Sequence, residues 1–396
     1  MADVNERNHI AHINTTQAVN IITQGLLDIP MLQLLDADGK IMAQQSEQWD
    51  SATAVRIFHA MQYTRLLDER MVNAQRQGRI SFYLACTGEE AAVVGATAGC
   101  EAQDMIMSQY REQGALVYRG YKTSQFMDQL FSNVLDPNKG RQMPIHYGDK
   151  TLNFMTVSSP LGTQIPQAAG YAYGQRMAGQ DAITLCFFGE GAASEGDFHA
   201  GLNMAAVLHC PTIFFCRNNG YAISTPTREQ FAGDGIASRG IGYGVPTIRV
   251  DGNDALAVYT ATRTARALAL KESCPVLIEA MTYRLAAHST SDDPASYRSA
   301  EEEAKWQAKD PLARLQKYLL LNDLIEQTDI DAYLEATRAE ILREVKRAEK
   351  APKAPIDDLF NDVYATPPMH LQQQLASLKS HIAAHPAVYP TAKGDA

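Results

Sequence analysis

The sequence predicts an α/β fold, a mostly parallel sheet with helices on both faces. Three observations point there. Residues 183–188 and 212–216 are apolar runs rich in β-branched and aromatic side chains, and each ends in a polar turn. Between them residues 198–208 have the length and small-residue packing of a helix, and a right-handed crossover makes the two strands parallel neighbours. The same alternation fills much of the chain to about residue 284, and 396 residues with 45% hydrophobic composition hold one large α/β domain with appendages, hardly two.

In chain order, residues 1–50 read as a polar N-terminal arm, interrupted by Pro30 and suited to packing on a partner. Residues 51–310 form the α/β domain. Its first helix runs from Ala52 to Gln77, with Ile57, Met61, Leu66, Leu67 and Met71 on the apolar side. Met105-Ile106-Met107 is a short strand that places Gln109-Tyr110-Arg111-Glu112 at its end. Ser158 to Gln164 precede a helix rich in Ala and Gly (Ala168 to Gly174), and their oxygens either cap that helix or bind a monovalent cation. A strand from Val276 to Ala280 leads into a polar loop beginning Thr282-Tyr283-Arg284. Residues 311–396 are a helical tail: Ile330, Tyr333, Leu334, Ile341, Val345 and Ala348 keep helical spacing, Ala351 to Pro355 is a stiff linker, and residues 371–383 are a last helix.

A formal net charge of −10 argues against nucleic acid and anionic membranes as partners. No apolar run approaches the ~20 residues of a membrane-spanning helix. The six cysteines show no CxxC pair and are expected as buried, reduced thiols. The first residues lack a signal-peptide core and the Arg-rich, acid-poor character of a transit peptide, so a cytoplasmic protein is expected unless the sequence is already processed.

The central strand–helix–strand unit carries the chemistry. Parallel pairing brings Glu190 and Asn219, which follow the two strands, to one carboxyl edge. Two hard oxygen ligands there suit magnesium, whose remaining ligands come from water and phosphate oxygens. A helix opening near Ser194 to Asp197 points free N–H groups at that edge, and Gly189, Gly191 and Gly196 allow close approach of a ligand. Tyr221 can add a backbone carbonyl and Arg217 a positive charge. Gly189-x-Gly191-x-x-Ser194 also half-matches a dinucleotide fingerprint, but the third glycine is missing and the second strand ends in Arg-Asn-Asn. Arg111 can reach phosphate, or serve as an ordinary surface ion-pair partner. His288, on the loop after the strand ending at Ala280, has a side chain that titrates near neutrality and can donate to phosphate or to an intermediate.

Gly189-Glu190-Gly191 followed by Asn218-Asn219 resembles the thiamine diphosphate signature, with Glu in place of the commoner Asp. Longer stretches, QRQGRISFY, QYRE, GRQMPIHYG, FGEGAASEGD, CRNNGYAISTPT, VDGND, IEAMTYR and HSTSDD, are similar to the alpha subunits of branched-chain 2-oxo acid dehydrogenase decarboxylase components over residues 57–364. The resemblance implies a thiamine diphosphate-binding fold with magnesium held by Glu190, Asn219 and the Tyr221 carbonyl. It implies Arg111, Arg217 and His288 on the diphosphate, and Tyr110, Ser159, Leu161, Gly189, Gly191 and Ala192 near the cofactor. Phe82, Gln109 and Tyr110 would line the acyl pocket, with His288, Ser159 and Gln109 as catalytic residues. Ser158, Pro160, Thr163 and Gln164 match a potassium site. Ser289 and Ser299 match serines phosphorylated in animal members, although Leu285-Ala286-Ala287 departs from the glycine and histidine usual before the loop histidine. The implied reaction is oxidative decarboxylation of a 2-oxo acid and transfer of the acyl group to a lipoyl-bearing acyltransferase component. A beta subunit would supply the pyrimidine-side glutamate in an alpha2beta2 assembly. Pyruvate or acetoin dehydrogenase chemistry, and a non-catalytic regulatory homologue, are the alternatives.

Overall fold

The structure is a computed structural model that describes residues 28–42 and 49–389. The strands in chain order are β1 (Met31–Leu32), β2 (Met105–Met107), β3 (Phe154–Met155), β4 (Thr184–Gly189), β5 (Thr212–Asn218), β6 (Tyr221–Ala222), β7 (Thr225–Pro226), β8 (Thr247–Asp251) and β9 (Val276–Met281). Seven of them form one sheet in the order β1-β8-β9-β5-β4-β2-β3, and every pairing in it is parallel. The helices are α1 (Ser51–Arg76), α2 (Glu90–Ala98), α3 (Gln113–Arg119), α4 (Thr123–Leu130), α5 (Gln164–Met177), α6 (Gly196–Val207), α7 (Thr227–Gln230), α8 (Ala237–Gly242), α9 (Ala255–Glu272), α10 (Ala300–Gln307), α11 (Pro311–Leu321), α12 (Gln327–Lys350) and α13 (Met369–Ala384).

Period-two alternation within each central strand divides the core. Leu185 and Phe187 of β4, with Ile213 and Phe215 of β5, pack among apolar residues of α1, α2 and α9. Cys186, Phe188, Phe214 and Cys216 face the other way, against Ile165, Ala168 and Ala172 of α5 and Phe198 and Leu202 of α6. Small residues on α5 and α6 let these helices lie close to the sheet.

Two segments differ from the expectation of simple appendages. Most of the predicted arm lies outside the described residues, but Met31 and Leu32 pair with Arg249 and Val250 as the edge strand of the sheet. The Asp254 carboxylate, which caps α9 by accepting from Ala257 N, also accepts from Leu34 N at 2.8 Å and Leu35 N at 2.6 Å. This part of the arm therefore packs on its own chain. In the tail, Ile341, Val345 and Ala348 of α12 are buried in the same cluster as α1 and the sheet.

Candidate cofactor and metal site

The chain runs from β2 outward to β3 and then returns to β4 and β5 on the other side, so a crevice opens at the carboxyl ends of β2 and β4. There Gln109 accepts a hydrogen bond from Gly189 N at 2.8 Å, tying the turn after β2 to the turn after β4. A cavity of about 460 Å³ occupies this edge.

Glu190 and Asn219 meet as their spacing predicts. Asn219 N donates to Glu190 Oε2 at 3.3 Å. Glu190 is 1% exposed and its Oε1 has no hydrogen-bond partner. Burial pushes its carboxyl up to about 7, against the backbone N–H groups of Glu190 and Asn219 that favour the charged form. A buried carboxylate oxygen without a donor is costly for the protein alone and is what a hard cation would relieve. Asn219 Oδ1 accepts from Tyr221 N at 3.1 Å and keeps a second lone pair. These oxygens fit magnesium, and among the described residues no group of three or more His, Cys, Asp or Glu side chains offers an alternative metal cage.

Positive charge surrounds the edge. Arg111, Arg217 and Arg284 are all buried and line the cavity. Arg217 is clasped by two carboxylates, Glu89 at 2.9 Å and Glu112 at 2.6 Å. Its charge is thus more than offset by the two acids, and it is less free than the sequence suggested. Glu89 also accepts from Asn219 Nδ2 at 3.2 Å. Burial raises the Glu89 carboxyl, but Arg217, Arg111 and Arg284 outweigh it and hold the group below its ordinary value. Glu112 Oε2 accepts from Ser108 Oγ and from the backbone N–H groups of Gln109, Tyr110 and Arg111, between 2.5 and 3.0 Å. One carboxylate therefore shapes the whole turn that carries the predicted pocket residues.

His288 corrects an expectation. Burial, helped by Arg111 and Arg284, lowers its imidazole to about 4. It is neutral at physiological pH and does not titrate near neutrality as the isolated side chain would. Its Nδ1 lies 3.2 Å from Arg111 Nη2 and 3.5 Å from Arg284 Nη1, which can only donate. The proton consequently sits on Nε2, which makes that nitrogen the available donor.

Tyr110, Arg111, Ser159, Leu161, Gly189, Glu190, Gly191, Ala192, Arg217, Asn219, Tyr221 and His288 all line the one cavity, as do Phe82, Gln109 and Ser158. Pro160, Thr163 and Gln164 do not. Thr163 Oγ1 lies 3.1 Å from Pro160 O and 3.2 Å from Ser158 Oγ, while buried Gln164 donates to Phe187 O. The loop caps α5 through its backbone only: Gly162 O accepts from Ile165 N at 3.0 Å, and no side chain caps the helix. At Gly191 a Cβ would lie 2.7 Å from that of Ala222, so packing also requires the glycine, whereas a Cβ at Gly189 would make only ordinary contacts at 3.9 Å and one at Gly196 would meet nothing within 4 Å. Ser299 caps α10 by accepting from Glu302 N at 3.1 Å, and Ser289 accepts from Ser291 N beside His288. Sequence reasoning passed over Glu89, Glu112, His146 and the cavity-lining role of Arg284. A buried arginine requires nearby acids, and that was the available signal for the first two.

A parallel sheet with an anion-and-cation crevice at its carboxyl edge defines a cofactor-binding α/β enzyme class. The chain belongs to the dehydrogenase E1 component family, whose sequence model matches residues 58–357. It is 48% identical over 364 residues to the 2-oxoisovalerate dehydrogenase subunit alpha, mitochondrial, of Mus musculus, covering 91% of this chain and 82% of that protein. The Homo sapiens subunit of the same name is 47% identical with the same coverage. That of Caenorhabditis elegans is 48% identical over 365 residues, 91% of this chain and 84% of the relative. These matches leave no place for the dinucleotide reading. The relatives are mitochondrial by name, so the cytoplasmic expectation rests on the sequence alone.

Proposed function

We propose that this chain is the diphosphate- and metal-binding alpha subunit of a two-subunit enzyme. With its beta subunit it would decarboxylate branched-chain 2-oxo acids such as 2-oxoisovalerate and pass the acyl group to a lipoyl-bearing acyltransferase component. The observation that carries this reading is the unpartnered Glu190 oxygen beside Asn219, set under three buried guanidinium groups. Thiamine diphosphate, when bound, supplies the carbanion-stabilising chemistry.

The residues of this chain do the rest. Glu190, Asn219 and the Tyr221 carbonyl would hold Mg2+. Arg111 and Arg217 would oppose the diphosphate charge, and His288 would direct its Nε2 proton at phosphate or at a reacting oxygen. Phe82, Leu84 and Ile145 give the cavity apolar walls that shield the reacting centre from water and suit a branched acyl group. The oxygens of Ser158, Pro160 and Thr163, mutually close, suit a monovalent cation such as K+.

Two features support a beta subunit. The carboxylates that line the cavity are Glu190, committed to the metal edge, and Glu195, which is exposed at the start of α6. An acid for the pyrimidine must therefore come from elsewhere. Tyr171, Tyr173 and Met177 of α5, with Met204, Val207 and Leu208 at the end of α6, also present an exposed apolar face of the kind that partners cover. The test is co-expression with a beta subunit and assay of magnesium- and thiamine diphosphate-dependent turnover. Turnover of 2-oxoisovalerate well above pyruvate, and none without the partner, is expected. Preference for pyruvate would overturn the substrate assignment.

A further inference from the structure

A serine–histidine pair stands in the cavity wall away from the metal edge. Ser159 Oγ lies 2.7 Å from His146 Nε2, and both residues line the cavity. His146 is 5% exposed, and its Nδ1 lies 3.1 Å from the carbonyl of Pro144. A carbonyl can only accept, so in the neutral ring Nδ1 carries the proton and Nε2 is bare. The Ser159 hydroxyl must then donate to His146. Its lone pairs are left for whatever occupies the cavity.

The aim of this histidine is held at a cost. Ile145, immediately before it, is β-branched, buried and at φ +68, a left-handed conformation that such residues rarely adopt. A buried amide keeps it there: Ile145 N donates to Gln129 Oε1 at 3.0 Å, and Gln129 Nε2 donates to Met143 O at 2.6 Å. His146 N closes the turn onto Met143 O at 3.2 Å. Neither the strain nor the clamp is needed to bury His146 alone. Both are explained if the ring must face Ser159.

We propose that His146 is a positioning residue that fixes the Ser159 hydroxyl as a hydrogen-bond acceptor toward the reacting 2-oxo acid or its cofactor. The assignment rests on the function proposed above. It gives the cavity two walls of opposite polarity, a donor at His288 Nε2 and an acceptor at Ser159 Oγ. An N–H or O–H of the bound ligand is recognised at the second wall.

The test uses the alpha–beta complex and 2-oxoisovalerate decarboxylation, read with an artificial electron acceptor so that no lipoyl partner is needed. Ser159→Ala and His146→Asn are compared with His146→Gln. The Asn amide can keep the Pro144 contact but does not reach Ser159, whereas a Gln carbonyl oxygen can stand where Nε2 stood. Ser159→Ala and His146→Asn should each lower kcat/KM by the same factor, roughly 10- to 100-fold for a lost positioned group. The double variant should be no slower than either single one, and His146→Gln should recover most of the loss. Multiplying effects in the double variant, full activity of His146→Asn, or a Gln variant as slow as the Asn variant would overturn the proposal. If His146→Asn fails to bind thiamine diphosphate, a dead Gln variant that still binds the cofactor also overturns it. A wild-type complex without turnover of 2-oxoisovalerate sinks the functional reading instead, and the two failures are told apart by that control.

Discussion

At the scale of single residues, Glu190 and His288 are each shaped more by burial than by charge partners. Replacing Glu190 with Ala should weaken magnesium-dependent thiamine diphosphate binding by at least about 100-fold, beyond the 10- to 100-fold typical of losing an outer-shell group. Titration calorimetry with and without Mg2+ checks this, and unchanged affinity would remove the metal site. His288→Ala should leave the fold intact and lower turnover by roughly 10²- to 10⁴-fold, the usual worth of a placed proton donor. The same histidine gives a pH signature. Its folded value is depressed to about 4, so between there and its ordinary value of 6.5 the unfolded chain binds the extra proton. The neutral-ring contribution is whole above that window and is lost as pH falls through it. Denaturant midpoints of the His288→Ala variant should therefore fall less steeply than wild type from pH 6.5 to about 4. Glu190, Asn219 and Arg111 could be placed at one sheet edge from the sequence because each lies in the polar turn that follows an apolar run. The protonation state of His288 was not, since it depends on Arg111, which is 177 positions away.

Elements show the same division. The strand–helix–strand unit was read within two residues at every end, because apolar periodicity and chain reversal are local signals. The turns were harder. Four acceptor contacts at one Glu112 oxygen form the turn after β2, and its other oxygen meets Arg217 from β5. Glu112→Ala should cost about 3–5 kcal/mol, as expected for breaking a buried ion pair from one side, measured by denaturant unfolding. A change below about 1 kcal/mol would mean that the turn holds its shape without the carboxylate. A second join lies at Gly88, at φ +98, where a Cβ would meet the Tyr283 carbonyl at 2.3 Å. Leu285 N donates to Thr87 O at 2.9 Å beside it. The turn bearing Glu89 and the loop bearing His288 are thus fastened backbone to backbone. Gly88→Ala should loosen both, seen as weaker cofactor binding together with lower stability.

Over the whole molecule, the sheet is buried on both faces, while the apolar end of α5 and α6 remains open. Composition made the first legible; which face stays uncovered emerged only once helices were placed. The helices after residue 310 share the main core, so removing residues 327–396 takes away Ile341, Val345 and Ala348 and should uncover the apolar residues of α1 and α4 in the same cluster, costing several kcal/mol at about 1.5–3 kcal/mol for each large apolar side chain uncovered. Failure to express as folded protein is the expected outcome. The edge strand β1 has a further consequence, for synthesis. Its partner β8 and its anchor Asp254 leave the ribosome more than 200 residues after it. Until then the amino-terminal strand must wait unpaired, while β2, β4 and β5 can already assemble beside it. The sheet closes at this edge late, and ribosome-bound chains stopped before Asp254 should leave residues 28–42 open to proteases that the finished protein resists.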